Sequence, residues 1–325
     1  MKIWICRSIP NTTEIDIVGG YIGSYQEKFN PAIHLNLVGN ALEADVILVP
    51  HDARYFAKNT NYLTYLRSLS ETKPLLISDR GDFPAKIKMK NTTFLRVGTE
   101  PGEKVFNTVI IPYNITSISY LPFRNYEINP KLNFTGLVPK FSLGRTAKSF
   151  IKAPLYPCLT NASIVRRLTI KQIKKTSLDN KIVIRDTYGG IANLVSNSED
   201  KREEFLKGMA ESDFILCPRG DSNGSVRFYE SLSAGRIPLI PDTRIKFPHS
   251  ENFNLEDVIF KFSLFNSRIE TDLIEFWRDL NLEKYQKIQE DLRTLYNTQY
   301  KFDVFLKNLL NSGIENFNKY ISYSF

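Results

Sequence analysis

Histidine and cysteine are scarce in this sequence, three of each among 325 residues. No pair of them has zinc-ligand spacing, so a zinc finger or a multi-histidine metal site has no support. Cys6, Cys158 and Cys217 form an odd, sparse set, which excludes a disulfide framework and fits a reducing compartment. No apolar run reaches the length needed to cross a bilayer. The opening stretch Met1 to Arg7 is too short for a signal peptide. Lysine and arginine are dispersed without a long basic run, and no aromatic RNA-binding motif accompanies them, so a dedicated nucleic-acid arm is not expected.

The residues that are present describe a folded chain. Hydrophobic residues make up 42%, aromatics 12% and charged residues 24%, enough for sizeable cores and too apolar for disorder. The length suits two domains. Net charge is 43 − 35 = +8, which suits polyanions, anionic nucleotides or anionic lipid headgroups. A peripheral membrane contact therefore stays open, whereas a transmembrane segment does not.

The most informative stretch runs from Phe214 to Ile240. Phe214 to Cys217 reads as a buried parallel strand. Pro218 to Gly224 is a loop rich in Gly, Asp and Asn. Ser225 is the expected N-cap of a helix, Ala234-Gly235 ends that helix, and Ile237 to Ile240 is the next strand. A loop feeding a helix N-terminus presents unpaired N–H groups and the positive end of the helix dipole, which together suit a phosphate or diphosphate. Arg219 and Arg227 flank the turn with fixed positive charge. Glu230 lies one turn beyond Arg227, placed to accept hydrogen bonds from sugar hydroxyls. The competing reading is a plain connecting loop followed by a surface Arg227–Glu230 ion pair.

The order of these residues resembles the C-terminal signature of the exostosin family of inverting glycosyltransferases. Cys217, Pro218, Gly220, Asp221, Ser225, Arg227, Phe228, Tyr229, Glu230, Gly235, Ile237, Pro238 and Ile240 all fit that pattern. Arg236 departs from it, standing where the family usually has Cys. Glu43-Ala-Asp-Val-Ile-Leu-Val-Pro50 and Val109-Ile-Ile-Pro112 resemble family segments of the N-terminal domain, with Thr108 in place of a leading Asp. The resemblance implies an α/β GT-B fold, with two Rossmann-like domains facing each other across a cleft and C-terminal helices crossing back. The expected divisions are 1–125, 131–272 and 273–325, with a Pro- and Asn-rich linker over 120–131.

It also implies a UDP-sugar donor and a glycan acceptor, with no nucleic acid as partner and no cofactor beyond the donor. The expected donor-binding set is Arg219, Gly220, Asp221, Asn223, Gly224, Ser225, Val226, Arg227, Glu230 and Arg185. Arg166 and Arg167 read either as diphosphate contacts or, preferably, as solvated helix charges. With no Asp-x-Asp motif, a metal-using GT-A design has no support. Family members with a membrane anchor differ from this chain, so the expectation is a soluble cytosolic protein of microbial or viral origin. An inverting transfer needs a base for the acceptor hydroxyl. Candidates at the strand ends of the first domain are Asp52 and Asp82, followed by His51 and Asp79. Asp79 and Asp82 equally suit a turn paired with Arg80. A catalytically inactive nucleotide-sugar or glycan binder is the alternative.

Overall fold

The computed structural model describes residues 1–6, 36–50, 53–79, 85, 87–103, 107–140, 143–144, 147, 149, 156, 158–185, 198–249, 254–313 and 320. Two parallel sheets organise them. In the first, strands β1 (Lys2–Ile5), β2 (Asn36–Leu37), β3 (Val46–Val49), β4 (Leu75–Ser78), β5 (Thr92–Arg96) and β6 (Thr108–Ile110) lie in the order β2-β1-β3-β4-β5-β6. The second holds β7 (Lys131–Leu137), β8 (Asp179–Arg185), β9 (Phe214–Leu216), β10 (Ile237–Pro241) and β11 (Phe260–Phe262), in the order β11-β10-β9-β7-β8. Both are doubly wound: the chain leaves the first strand of each sheet to one side, then returns to build the other. Ligands bind such sheets at the strand ends where the order reverses. In the second sheet that point lies between β7 and β9.

Local sequence explains the elements. Val46-Ile-Leu-Val49 is buried throughout, as a central parallel strand covered on both faces requires. The helix α2 (Thr60–Ser70), which follows the single turn α1 (Ala53–Phe56), begins where the Asn59 side chain accepts from the Tyr62 amide. Helix α3 (Ala162–Ile173) begins in the same way, with Asn161 accepting from the Ser163 and Ile164 amides. These short polar side chains satisfy N–H groups that the first turn leaves open. Helices α4 (Ser198–Glu211) and α5 (Val226–Ala234) complete the second domain's alternation. Gly235 ends α5 at φ 68° and ψ 40°, the left-handed conformation expected of a glycine at that position.

The C-terminal helices divide differently from the expectation. Helix α6 (Ile269–Arg278) and helix α7 (Leu282–Leu295) bury Leu273, Trp277, Tyr285 and Leu292 in the core of the second domain. A π-helical turn at Tyr296–Tyr300 follows, and among the described helices it is α8 (Phe302–Asn311) that crosses back. Its Phe302, Phe305, Leu306, Leu309 and Leu310 pack with Ile3, Leu48, Leu76 and Val109 of the first domain. The crossing thus begins near residue 301, about a helix pair later than the boundary at 273, because the aromatic faces of α6 and α7 have their partners in Phe214 and Tyr126. Two doubly wound domains with a returning C-terminal helix constitute a GT-B fold. Among the described residues no helix is long and apolar enough to span a membrane.

The linker is not a loose tether. Asp213, fully buried before β9, accepts at Oδ1 from Arg124 Nε (2.7 Å) and Tyr285 Oη (2.6 Å), and at Oδ2 from the Lys131 amide (2.8 Å). Gln289 of α7 bonds both the amide and the carbonyl of Arg124. Arg236 is fully buried and donates to Gln289 and to the carbonyls of Met209, Ala234 and Pro122. Burial lowers its pKa to about 10, still well above neutrality. This departure from the family pattern therefore ties linker, α5 and α7 together.

Removing one partner of a buried ion pair strands the other charge. Asp213→Ala is accordingly expected to lower unfolding free energy by about 3–5 kcal/mol in urea titration, and Tyr285→Phe by about 1 kcal/mol, one hydrogen bond's worth. Burial pushes the Cys6 thiol up to about 11 and the Cys217 thiol up to about 12, while Cys158 is half-buried. A maleimide at pH 8 should label Cys158 alone in the folded protein; labelling of Cys217 before unfolding would contradict this packing.

Candidate functional site

At the switch point of the second sheet the end of β7 faces the loop after β9. Between them lies a cavity of about 370 Å³, within the usual range for small-molecule sites. The loop that forms one wall is held by its own bonds. The Gly220 amide donates to the Gly224 carbonyl at 2.7 Å, and the Gly224 amide to the Ser222 carbonyl at 2.8 Å. Asn223 is buried and fastens the loop to the bend after β10: its Nδ2 donates to the Thr243 carbonyl and its Oδ1 accepts from the Thr243 hydroxyl. Asn223 is therefore a brace outside the cavity lining, where the sequence suggested a ligand contact. The loop delivers the chain to the N-terminus of α5. Ser225 has the extended backbone of an N-cap, φ −140° and ψ 119°, yet its hydroxyl makes no capping hydrogen bond. Ser225, Val226 and Arg227 line the cavity with Gly220, Asp221 and Gly224.

Three arginines converge on this cavity: Arg166, Arg185 and Arg227. Arg227 lies across the end of β7. Its Nη2 donates to the Thr135 carbonyl, and its guanidinium carbon stands 5.1 Å from the Phe134 ring centroid. Gly136 makes this placement possible, since a Cβ there would overlap the Arg227 guanidinium. Arg166 donates from Nε to the Arg219 carbonyl at 3.0 Å and from Nη1 to the Leu137 carbonyl. It is buried at the site, so the reading of it as a solvated helix charge does not hold. Arg167 next to it turns outward to Ser163 and the Pro139 carbonyl. Arg185, at the end of β8, donates from Nη2 to the Lys201 carbonyl and the Glu204 carboxylate. Its buried Nε has no hydrogen-bond partner among the described residues. Against these three cations Asp221 is the one carboxylate in the lining among the described residues, and it is exposed. Cationic side chains beside open helix N–H groups make a site for a multiply charged anion.

Arg219 and Glu230 do not line the cavity. Arg219 is fully buried, and each of its five N–H groups has an acceptor. Nη1 reaches Glu100 Oε2 and the Leu159 carbonyl, both at 2.8 Å; Nη2 reaches Glu100 Oε1 at 2.8 Å and the Asp221 carbonyl at 2.9 Å; Nε reaches the Gly220 carbonyl at 3.2 Å. A guanidinium has five donors, so none is left for a phosphate. Glu230 sits one turn inside α5, 3.6 Å from Arg202 Nη1. Burial raises its pKa, against the pull of Arg227 and Arg202. No surface pair with Arg227 forms, because that guanidinium is drawn to β7.

The first domain contributes residues that carried no sequence signal. Glu100 holds Arg219, and Tyr113 Oη lies 2.7 Å from Ser222 Oγ while its side chain lines the cavity. Among the base candidates, Asp79 is fully buried at the end of β4. It accepts from Arg96 Nε at 2.8 Å and from the Ala85 amide at 3.2 Å on both oxygens. Held in that way, it serves as a scaffold carboxylate, with Arg96 and the Ala85 amide among its partners. His51, Asp52 and Asp82 lie outside the described residues, as does Arg80.

Comparison with known proteins gives one family model and several solved structures. Residues 153–291 match the family model of the RXYLT1 C-terminal domain. A probable arabinosyltransferase of Arabidopsis thaliana, ARAD1, is 29% identical over 106 residues. That similarity covers 31% of this chain and 22% of the plant protein, so the chain spans about a fifth of that relative's length. Among solved structures, a glycosyltransferase from Rickettsia africae is similar at 12% identity, with TM-score 0.39, over 96% of this chain and 97% of that one. Anabaena HepE, crystallised with UDP and glucose, is similar at 11% identity and TM-score 0.42, over 91% and 83% of the two chains. Over residues 153–291, then, this chain is similar to the RXYLT1 C-terminal domain.

Proposed function

We propose that this protein transfers a sugar, with inversion, from a UDP-linked donor to a hydroxyl of a glycan acceptor. The observation that carries this reading is the convergence of Arg166, Arg185 and Arg227 on the open N-terminus of α5, at the switch point of the sheet. A donor diphosphate fits the charge of that place. Arg227 and the Val226 and Arg227 amides would hold it, with Arg166 and Arg185 on its flank. Glu230 is the candidate for the ribose hydroxyls, reached from beneath the helix start. In this reading the transferred sugar is xylose, galactose, glucuronate or arabinose.

The chemistry follows from the site. An acceptor hydroxyl attacks the anomeric carbon on the face opposite the diphosphate, the bond from that carbon to the phosphate oxygen breaks, and the acceptor proton passes to a base. Negative charge grows on the leaving diphosphate, and fixed guanidinium groups with a helix N-terminus stabilise it in place. With that charge met by protein groups, no divalent cation is required, and turnover should survive EDTA. The base is assigned to the first domain's strand ends, with Asp52 and Asp82 as the candidates ahead of His51.

Arg227→Ala should weaken UDP binding about tenfold or more in calorimetry, and Gly136→Ala, which displaces the same guanidinium, should do likewise. Unchanged affinity in both folded variants would remove the diphosphate from this cavity. Release of UDP and free sugar from donor alone would separate an enzyme from a pure binder, which releases none. Glu230 gives a second check. Its raised pKa means that the folded state holds the proton more tightly than the unfolded one, so stability falls as pH rises from the ordinary carboxylate range through the raised value. Glu230→Gln should therefore make the ligand-free protein more stable at pH 8 in thermal melts while weakening UDP binding. Loss of stability together with full affinity would contradict both roles.

A further inference from the structure

The donor loop is held by the other domain as much as by its own. Glu100 lies in the turn after β5, on the acceptor-side domain, and its side chain is 12% exposed. Both of its oxygens meet Arg219 at 2.8 Å. Arg219 in turn grips the loop from inside, through the carbonyls of Gly220 and Asp221. Two further contacts cross the cleft at the same loop. Tyr113 Oη bonds Ser222 Oγ. Backbone meets backbone where a Cβ on Gly98 would come within 2.8 Å of the Asn223 carbonyl, and one on Gly224 within 2.8 Å of the Val97 carbonyl. The Glu100 turn is itself braced. The Glu103 carboxylate accepts the Glu100 amide at 2.9 Å, Arg96 bonds Glu103 at 3.4 Å, and Asp79 holds Arg96 at 2.8 Å. A chain of ion pairs, joined by the Glu103 carboxylate on the Glu100 amide, thus runs from the end of β4 to the loop that walls the cavity.

We infer that the acceptor-side domain sets the shape of the anion site, with Glu100 as a positioning residue acting through Arg219 and Tyr113 as a second hold on the same loop. Glu100 touches no donor atom in this account. It fixes the guanidinium that fixes the Gly220 and Asp221 carbonyls, and so the direction in which the loop enters α5. A bidentate carboxylate–guanidinium pair, mostly desolvated, specifies orientation as well as supplying attraction. Donor binding and interdomain geometry are then linked: whatever spreads the cleft at Glu100 also loosens the site. This inference rests on the UDP-sugar reading for its ligand, but not for its mechanics.

The test uses the full chain, with UDP as the probe. Glu100→Gln keeps the size of the side chain and removes its charge. It should weaken UDP binding about tenfold, and the amides of residues 220–225 should exchange hydrogen faster while those of β9 and β10 do not. Glu71→Gln, which breaks the exposed Glu71–Lys90 pair, serves as the control for loss of an ion pair as such and should change neither quantity. A folded Glu100→Gln protein with wild-type affinity and wild-type exchange in the loop would overturn the inference. If that variant does not fold, Tyr113→Phe replaces it, with an expected loss of about fivefold, one hydrogen bond's worth, and faster exchange near Ser222; no change in either would overturn the inference as well. If the wild-type chain itself fails to bind UDP, the functional reading falls, while the exchange of residues 220–225 still decides whether Glu100 holds the loop.

Discussion

A fully buried guanidinium must find an acceptor for every N–H or lose more than its bonds return. Arg219 meets this condition with one carboxylate from the far domain and three carbonyls from its own. Those partners fix the relation between the end of β5 and the start of α5. The rest of the site takes its position from that relation: the Gly220–Gly224 loop, the open first turn of α5, and Arg166, whose Nε reads the Arg219 carbonyl. The cleft is therefore closed on the side of the Gly220–Gly224 loop by a charged contact, and the glycines at 98 and 224 let the two backbones approach.

A second buried polar cluster does the same for the fold as a whole. Asp213, Arg124, Tyr285, Gln289 and Arg236 join the interdomain linker to α7 and to the strand that precedes the loop. Because α7 continues through the π-helical turn into α8, this cluster also directs the returning helix onto the first sheet. The two networks divide the work. One sets where the domains join, the other how the Gly220–Gly224 loop sits within the join.

Much of the second domain was legible because its signals are local. A strand, a Gly-rich loop, a helix ended by Gly235 and another strand follow one another within 27 residues, and period and turn chemistry suffice to read them. The place of Arg227 at the start of that helix, on the cavity lining, was legible for the same reason. Arg219 was not, since its choice between a phosphate and a protein carboxylate depends on Glu100, 119 positions earlier. Glu100 itself sits in a turn with no repeating pattern to mark it. Arg166 looked like a helix surface charge because Arg166 and Arg167 are adjacent, and helical geometry turns one inward to the Leu137 and Arg219 carbonyls and the other outward. Asp79 stood at a strand end, where catalytic carboxylates occur, but so does the end of the neighbouring strand carrying Arg96. The helices after 272 share an apolar periodicity that says they are packed and not against which sheet.

The central claim is that the cavity between β7 and α5 is the diphosphate site of a nucleotide-sugar donor. A crystal structure of the chain with UDP tests it most directly. The account predicts the diphosphate at the N-terminus of α5, within hydrogen-bond distance of the Val226 or Arg227 amide and of the Arg227 guanidinium, with Arg219 still on Glu100. UDP bound elsewhere, or a diphosphate held by Arg219 after release from Glu100, would contradict it.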